Sequence, residues 1–410
     1  MASLLLVIIY LAFISLGLPD SLLGVAWPVM QSDTGAPLET AGFLFMTIAS
    51  GTIISSLASG KALKRFGTGK VTVFSVLMTA GALLGFHFAP SIVWLFVCAI
   101  PLGLGAGAVD AGLNDYVATH YKAHHMSWLH CFWGVGATLG PIIMAQFISG
   151  QNSWRNGYFA ISGIQFVLVI TLSLTLPLWN KVKNNSDISL NGGTEEANGL
   201  SYEEKAKEIK PLQIKGVKLA LTSFLFYCGV ESTVGLWGSS YLVNVKELHV
   251  VLAAQWVSFY YAGITIGRFI TGFVTFKISN LTLIRMGQII ALFGAVLLFL
   301  PLPSFFSLVG FIMIGLGLAP IFPCMLHETP TRFGKKHSQT IMGYQMAVAY
   351  TGSTFVPPLL GFIATHSTIG IFPLCIVVFV AAMLLSSEKL NNLLKKKDLI
   401  KRKDTSSTAF

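Results

Sequence analysis

Four carboxylates in this 410-residue chain stand where water is scarce. Asp20, Asp110, Asp115 and Glu231 each lie within or at the edge of a long apolar run. A charge at the centre of a bilayer costs about 2.5–3.5 kcal/mol on insertion scales, so such groups face an internal cavity or a partner. A carboxyl group placed there can bind and release a proton. Asp20 follows Gly17 and Pro19. It either carries a proton at a cavity or caps backbone groups freed where Pro19 disturbs the helix. Asp110 and Asn114 are four apart and share a helix face, so one can exchange a proton while the other hydrogen-bonds a hydroxylated solute. Asp115 points about 140° away from Asp110 and approaches Lys122, which reads as an interfacial charge or a structural ion pair.

Other polar groups sit at similar depth. Glu231 either binds a cation or solute hydroxyl, or serves structure. Trp237 and Tyr241 share a face four apart, and Trp237 lies about 120° round the helix from Glu231 unless Gly235 breaks it. Arg268 either snorkels to the surface or pairs with a carboxylate across the two halves of the chain. His130 relays protons or packs against a neighbouring helix. Trp27, placed to line an outer vestibule, and Trp133, Trp237, Trp256 and Tyr260 suit stacking on a sugar ring. Trp94, Trp154 and Trp179, at the ends of runs, read as interface anchors. Gln345 completes a solute-facing set with Asn114, His130, Glu231 and Trp237.

The elements that must position these groups are membrane helices. The chain is 54% apolar and 11% charged, against about one quarter charged in a soluble domain. Runs of 18 or more apolar residues read as spans of a ~30 Å hydrocarbon core. Twelve are expected: 4–29, 39–61, 70–89, 92–118, 127–149 and 156–180, then 214–244, 251–277, 281–301, 305–328, 338–364 and 368–388. With the N-terminus cytoplasmic, 24 of the 27 basic residues fall on the inside. Arg155 and Lys246 fall outside, and Arg268 lies within a span. Both termini are therefore expected in the cytoplasm. The net charge of +10 follows from this topology and from contact with anionic lipid, not from nucleic-acid binding. The first run lacks a basic leader and a cleavage site, and is expected to be retained. Cys98, Cys131, Cys228, Cys324 and Cys375 all lie in spans without metal-like spacing, so no disulfide and no metal are expected.

The expected architecture is an all-α membrane protein of two six-helix bundles, 1–180 and 214–388. A polar linker, 181–213, joins them, and a basic tail, 389–410, follows. Ten residues, Gly51-Thr-Ile-Ile-Ser-Ser-Leu-Ala-Ser-Gly60, return as Gly263-Ile-Thr-Ile-Gly-Arg-Phe-Ile-Thr-Gly272 at an offset of 212 positions. The same offset carries Gly103-Leu104-Gly105 onto Gly315-Leu316-Gly317, and Gly140 onto Gly352. Related halves of this kind are used by rocking secondary transporters. No phosphate-binding loop or nucleophile grouping suggests an enzyme, and no cofactor is expected.

Twelve helices, a 6+6 repeat and a central linker resemble the major facilitator superfamily. Its loop between helices 2 and 3 matches Gly60-Lys-Ala-Leu-Lys64-Arg65-Phe66-Gly67, with Lys64 where that family has Asp. Arg65 and Arg268 are read as gating or structural positions, Gly267-Arg268-Phe269-Ile-Thr-Gly272 being the second copy. Three stretches resemble the fucose permease-like branch: Leu18-Pro19-Asp20-Ser21, Gly103-Leu104-Gly105 to Asp110-Ala-Gly-Leu-Asn114, and Leu129-His130 to Gly140-Pro141. The resemblance implies a sugar symporter of the plasma membrane, with Asp20 and Asp110 as proton carriers and sodium as the other coupling ion in that branch. Its expected partners are a small-molecule solute, protons and membrane lipid, and a monomer is expected. The alternative is proton-driven efflux of amphipathic compounds. It is suggested by 30 Phe and by Gly136-x-x-x-Gly140-Pro141, half of an antiporter signature, though Met144-Ala145 stands where that signature has Gly-Gly.

Overall fold

Pro19 shapes the first span. A proline inside a helix removes one backbone donor and clashes with the carbonyl four residues back. Here the helix Ala2–Asp20 stops just after it, and a second helix, Leu22–Thr34, resumes after Ser21. The carbonyl of Ser15, four before Pro19, accepts a 2.9 Å hydrogen bond from Gln165 Nε2 instead. Bilayer depth demands such replacement partners, because no water is there to supply them.

The computed structural model describes residues 2–121, 123–149, 153–179, 211–275 and 277–407. Among these residues, twelve helices are long and apolar enough to cross a membrane. Spans 1 to 6 are Leu4–Thr34, Thr40–Phe66, Thr68–His87, Ile92–Val117, Trp128–Ile148 and Trp154–Leu174. Spans 7 to 12 are Val217–Asn244, Val250–Val274, Asn280–Phe299, Ser304–Phe333, Thr340–Thr365 and Ile369–Lys395. Span 10, expected unbroken, is two helices, Ser304–Leu318 and Ile321–Phe333, parted at Pro320. The polar stretch 181–213 lies outside the described residues up to 210, and Pro211–Gln213 form a single 3-10 turn. The basic stretch after Glu388 does not leave the last helix, which runs from Phe372 to Ser407.

The 212-residue repeat reappears as packing. A Cβ on Gly103 would press on the carbonyl carbon of Ile48 at 2.9 Å, and one on Gly315 would press on that of Tyr260 at 3.2 Å. Gly105 lies against the backbone of Ser75 as Gly317 lies against that of Gly287. Each member of each pair moves by 212, so the same backbone approaches fix spans 2, 3 and 4 in one bundle and 8, 9 and 10 in the other. Small residues allow that approach where lipid gives no hydrophobic drive.

The two bundles meet at one end of the molecule, opposite the N-terminus. There Gly24 abuts the backbone of Leu236, Gly42 abuts Pro358, and the Glu39 N–H donates to Thr365 Oγ1 at 3.1 Å. One buried apolar cluster, with Leu18 and Trp27 from the first half and Trp237 and Tyr241 from the second, runs through both bundles. Toward the N-terminal end the core divides. Leu5, Phe13, Leu129 and Trp179 belong to a cluster of the first half alone, and Val217, Phe333, Ile341 and Leu390 to one of the second half alone. Toward the end that carries the basic loops, each bundle therefore packs around a core of its own.

Candidate functional site

Where the core divides, polar side chains from both halves gather. Asp20, at the end of the first helix, is exposed, and its Oδ2 accepts a 2.7 Å hydrogen bond from Trp133 Nε1 of span 5. Among the described residues the Asp20 carboxylate accepts this indole bond and no backbone N–H, so it is not spent on capping. A small cavity of about 40 Å³ lies against Asp20 inside the first bundle, lined also by Ser15, Thr79, Val109 and Gln165. Asp110 of span 4 stands close enough to repel Asp20. Its Oδ1 accepts a 2.9 Å bond from Asn114 Nδ2, which also reaches the Asp110 carbonyl at 2.9 Å. The helical i, i+4 spacing therefore joins these two side chains directly.

The second half supplies an ion pair. Arg268 of span 8 donates to Glu231 Oε1 of span 7 at 2.9 Å and lies 3.3 Å from the Tyr227 hydroxyl. The two charged side chains are only 16% and 20% exposed, which limits solvent screening. Arg268 thus pairs inside its own bundle, not across the halves. What reaches across is its guanidinium, 5.5 Å from the ring centre of Trp133. Tyr260 donates to the Glu231 carbonyl at 3.0 Å. His130 is exposed at the same level, edge-on to Phe13, with Arg268 near enough to act on it.

Other expected positions fall elsewhere. Span 7 is one unbroken helix, so Gly235 does not bring Trp237 round to Glu231. Trp237 is fully buried, its Nε1 donating to the Pro357 carbonyl at 2.8 Å, and Tyr241 donates to the Leu298 carbonyl. Gln345 is also buried and accepts a 2.9 Å bond from Thr329, linking spans 10 and 11. Neither Trp237 nor Gln345 lines the small cavity at Asp20. Trp27 is buried in the shared core instead of lining a vestibule. Arg65 closes span 2 at the open end, its guanidinium over the Phe66 ring. Of the three expected anchors only Trp94 is exposed, whereas Trp154 and Trp179 are buried. Trp154 donates to Asp33, which also holds Arg155 at the closed end. Asp33 carries no signal in the apolar pattern of the sequence, although its partner Arg155 is one of two basic residues expected at that end.

Two bundles that share one core at one end, with carboxylates and an ion pair where that core divides, are the architecture of a secondary transporter. A sequence model described as Major Facilitator Superfamily matches residues 9–357. The chain belongs to that superfamily, and is a multi-pass integral membrane transporter, not an enzyme. It is 25% identical over 348 residues to the glucose/mannose transporter GlcP of Bacillus subtilis, covering 82% of each chain. It is 24% identical over 395 residues to bypass of stop codon protein 6 of Saccharomyces cerevisiae, covering 90% of this chain and 78% of that protein. The fold matches the inward open conformation of the xylose transporter XylE from E. coli, with a TM-score of 0.74 at 11% identity over 95% of both chains.

Proposed function

We propose that this protein is a proton-coupled symporter of a neutral, hydroxylated solute of monosaccharide size, related to the fucose permease-like branch. One observation carries the reading: Asp20, at the edge of a small cavity, and Asp110, half-buried beside it, are held by neutral donors, an indole N–H and a carboxamide. Among the described residues neither has a basic side chain within 4.0 Å, whereas Glu231 is tied to Arg268. A carboxylate bound by neutral donors alone can exchange its proton with surrounding water, so Asp20 and Asp110 are the carriers. The solute class follows from charge. The three carboxylates Asp20, Asp110 and Glu231 are set against the single Arg268 guanidinium, already engaged by Glu231, a poor balance for an anion and a suitable one for hydroxyls. Asn114, His130 and Glu231 supply the donors and acceptors, and the Trp133 ring supplies an apolar face. The glucose/mannose relative supports the same class.

The open, basic end faces the cytoplasm on this reading, by the excess of Lys and Arg there. The structure is then inward-open in a plasma membrane. A membrane potential supplies about 2.3 kcal/mol per charge per 100 mV, enough for roughly a fiftyfold gradient from one proton.

The test is transport in proteoliposomes under an imposed pH or sodium gradient, with D-glucose, D-mannose, D-xylose and L-fucose against a panel of lipophilic cations. Sugar accumulation driven by inward proton flow is expected. Asp20→Asn and Asp110→Asn mimic the protonated carrier, so they abolish accumulation and spare counterflow. Asp115→Asn, on another face of span 4, accumulates normally. Full accumulation in both the Asp20 and Asp110 variants sinks the coupling assignment. Proton-driven export of lipophilic cations replaces the reading with the efflux alternative.

A further inference from the structure

Symport requires that a proton bound in one half be felt by the solute-facing groups of the other. Asp20 and Trp133 belong to the first bundle, while Arg268, Glu231 and Tyr227 belong to the second. Between them lies one continuous set of contacts. The indole N–H of Trp133 donates to Asp20 at 2.7 Å, its ring face lies 5.5 Å from the Arg268 guanidinium, and Arg268 holds Glu231 at 2.9 Å. Trp133 also packs against both the core shared by the halves and the cluster of the first half alone. It therefore sits where the shared core divides. Span 1 meets the Trp133 backbone directly, for a Cβ on Gly17 would lie 3.0 Å from its carbonyl carbon. Spans 1 and 5 thus approach each other backbone to backbone, three residues from Asp20.

We propose that Trp133 is the positioning residue that transmits the protonation state of Asp20 to the Arg268–Glu231 pair. The proposal rests on the reading of Asp20 as a proton carrier. An ionised carboxylate holds an N–H donor by a charge-assisted bond roughly twice as strong as a neutral one. Protonation weakens that hold and lets the indole turn. The cation–π contact depends on presenting the ring face to the guanidinium, so it changes as the ring turns. Arg268 then redistributes its contacts between Trp133, Tyr227 and Glu231, and the charge offered to a solute hydroxyl changes with it.

Other charged and titratable groups surround this path. Asp110 of span 4 and Tyr261 of span 8 act on Asp20 or respond to it. Around Arg268 stand His130 and Cys131 of span 5, Tyr227 and Cys228 of span 7 and Tyr260 of span 8. Tyr350 of span 11 faces Asp110. Asp110 is the neighbour that must be separated from Asp20 in any test.

The test needs no solute, because the proton is the ligand. Tryptophan emission of the full-length protein in liposomes is followed from pH 4 to 9. The contribution of Trp133 is the difference between the wild type and Trp133→Phe, or Trp133→Tyr should the first fail to fold. A sigmoidal change in that difference is expected. Asp20→Asn removes all of it, and Asp110→Asn keeps it with a moved midpoint. No titrating component from Trp133, or one that survives Asp20→Asn, overturns the proposal. The two readings fail separately. Full sugar accumulation by both Asp20→Asn and Asp110→Asn overturns the symport assignment. Loss of accumulation in that variant without any Trp133 response to Asp20 overturns this inference alone.

Discussion

Removing the Glu231 carboxylate strands Arg268, and the geometry sets the size of the effect. The pair is 2.9 Å apart with side chains 16% and 20% exposed. At an effective dielectric near 20, unit charges about 4 Å apart attract by about 4 kcal/mol. Breaking a fully buried pair costs about 3–5 kcal/mol. Partial exposure of the pair to solvent recovers part of that, and the Tyr227 hydroxyl and Trp133 ring remain to Arg268. Glu231→Gln is therefore expected to destabilise the second bundle by about 2 kcal/mol, lowering its melting temperature by about 4–8 °C. Arg268→Gln should cost a similar amount by stranding Glu231. The double variant leaves no uncompensated charge, so its loss should fall short of the sum by about 2 kcal/mol. Thermal unfolding of the purified wild type, both single variants and the double variant measures this cycle. Additive losses would show that the two side chains are solvated independently, and would refute the pairing argument.

Two further outcomes follow from the packing and the charge pattern. A side chain at position 24 would meet the Leu236 Cα at 2.7 Å, so Gly24→Leu should favour the state open at that end. Overpacking of this kind costs about 1–3 kcal/mol. Labelling of Thr365→Cys by an impermeant maleimide from that face should rise at least fivefold, and an unchanged rate rejects the closed seam. The positive-inside pattern places the loop between the halves in the cytoplasm. Ser189→Cys should then resist the same reagent in intact cells and react in inverted vesicles, and the reverse pattern turns the topology over.

The sequence by itself determined the elements. Apolar length fixes where helices cross, because a helix must span about 30 Å and satisfy its own backbone groups. All twelve expected spans are present among the described residues, with ends displaced by up to seven residues. The glycine repeat at an offset of 212 was legible because backbone contact tolerates no side chain at Gly103 or Gly315. Asp110 with Asn114 was legible too, since four residues on one helix fix a contact locally. Partners across the bundle were a different matter. That Arg268 would choose Glu231, 37 residues away in its own half, and that Trp133 would reach Asp20 113 residues back, depends on how whole helices rotate and tilt. The burial of Trp237 and Gln345 has the same origin. Helical periodicity says which residues share a face, but not whether that face meets the cavity, a neighbouring helix or lipid. In a chain apolar on every side, composition carries little of that information, and only the packing of the twelve helices decided it.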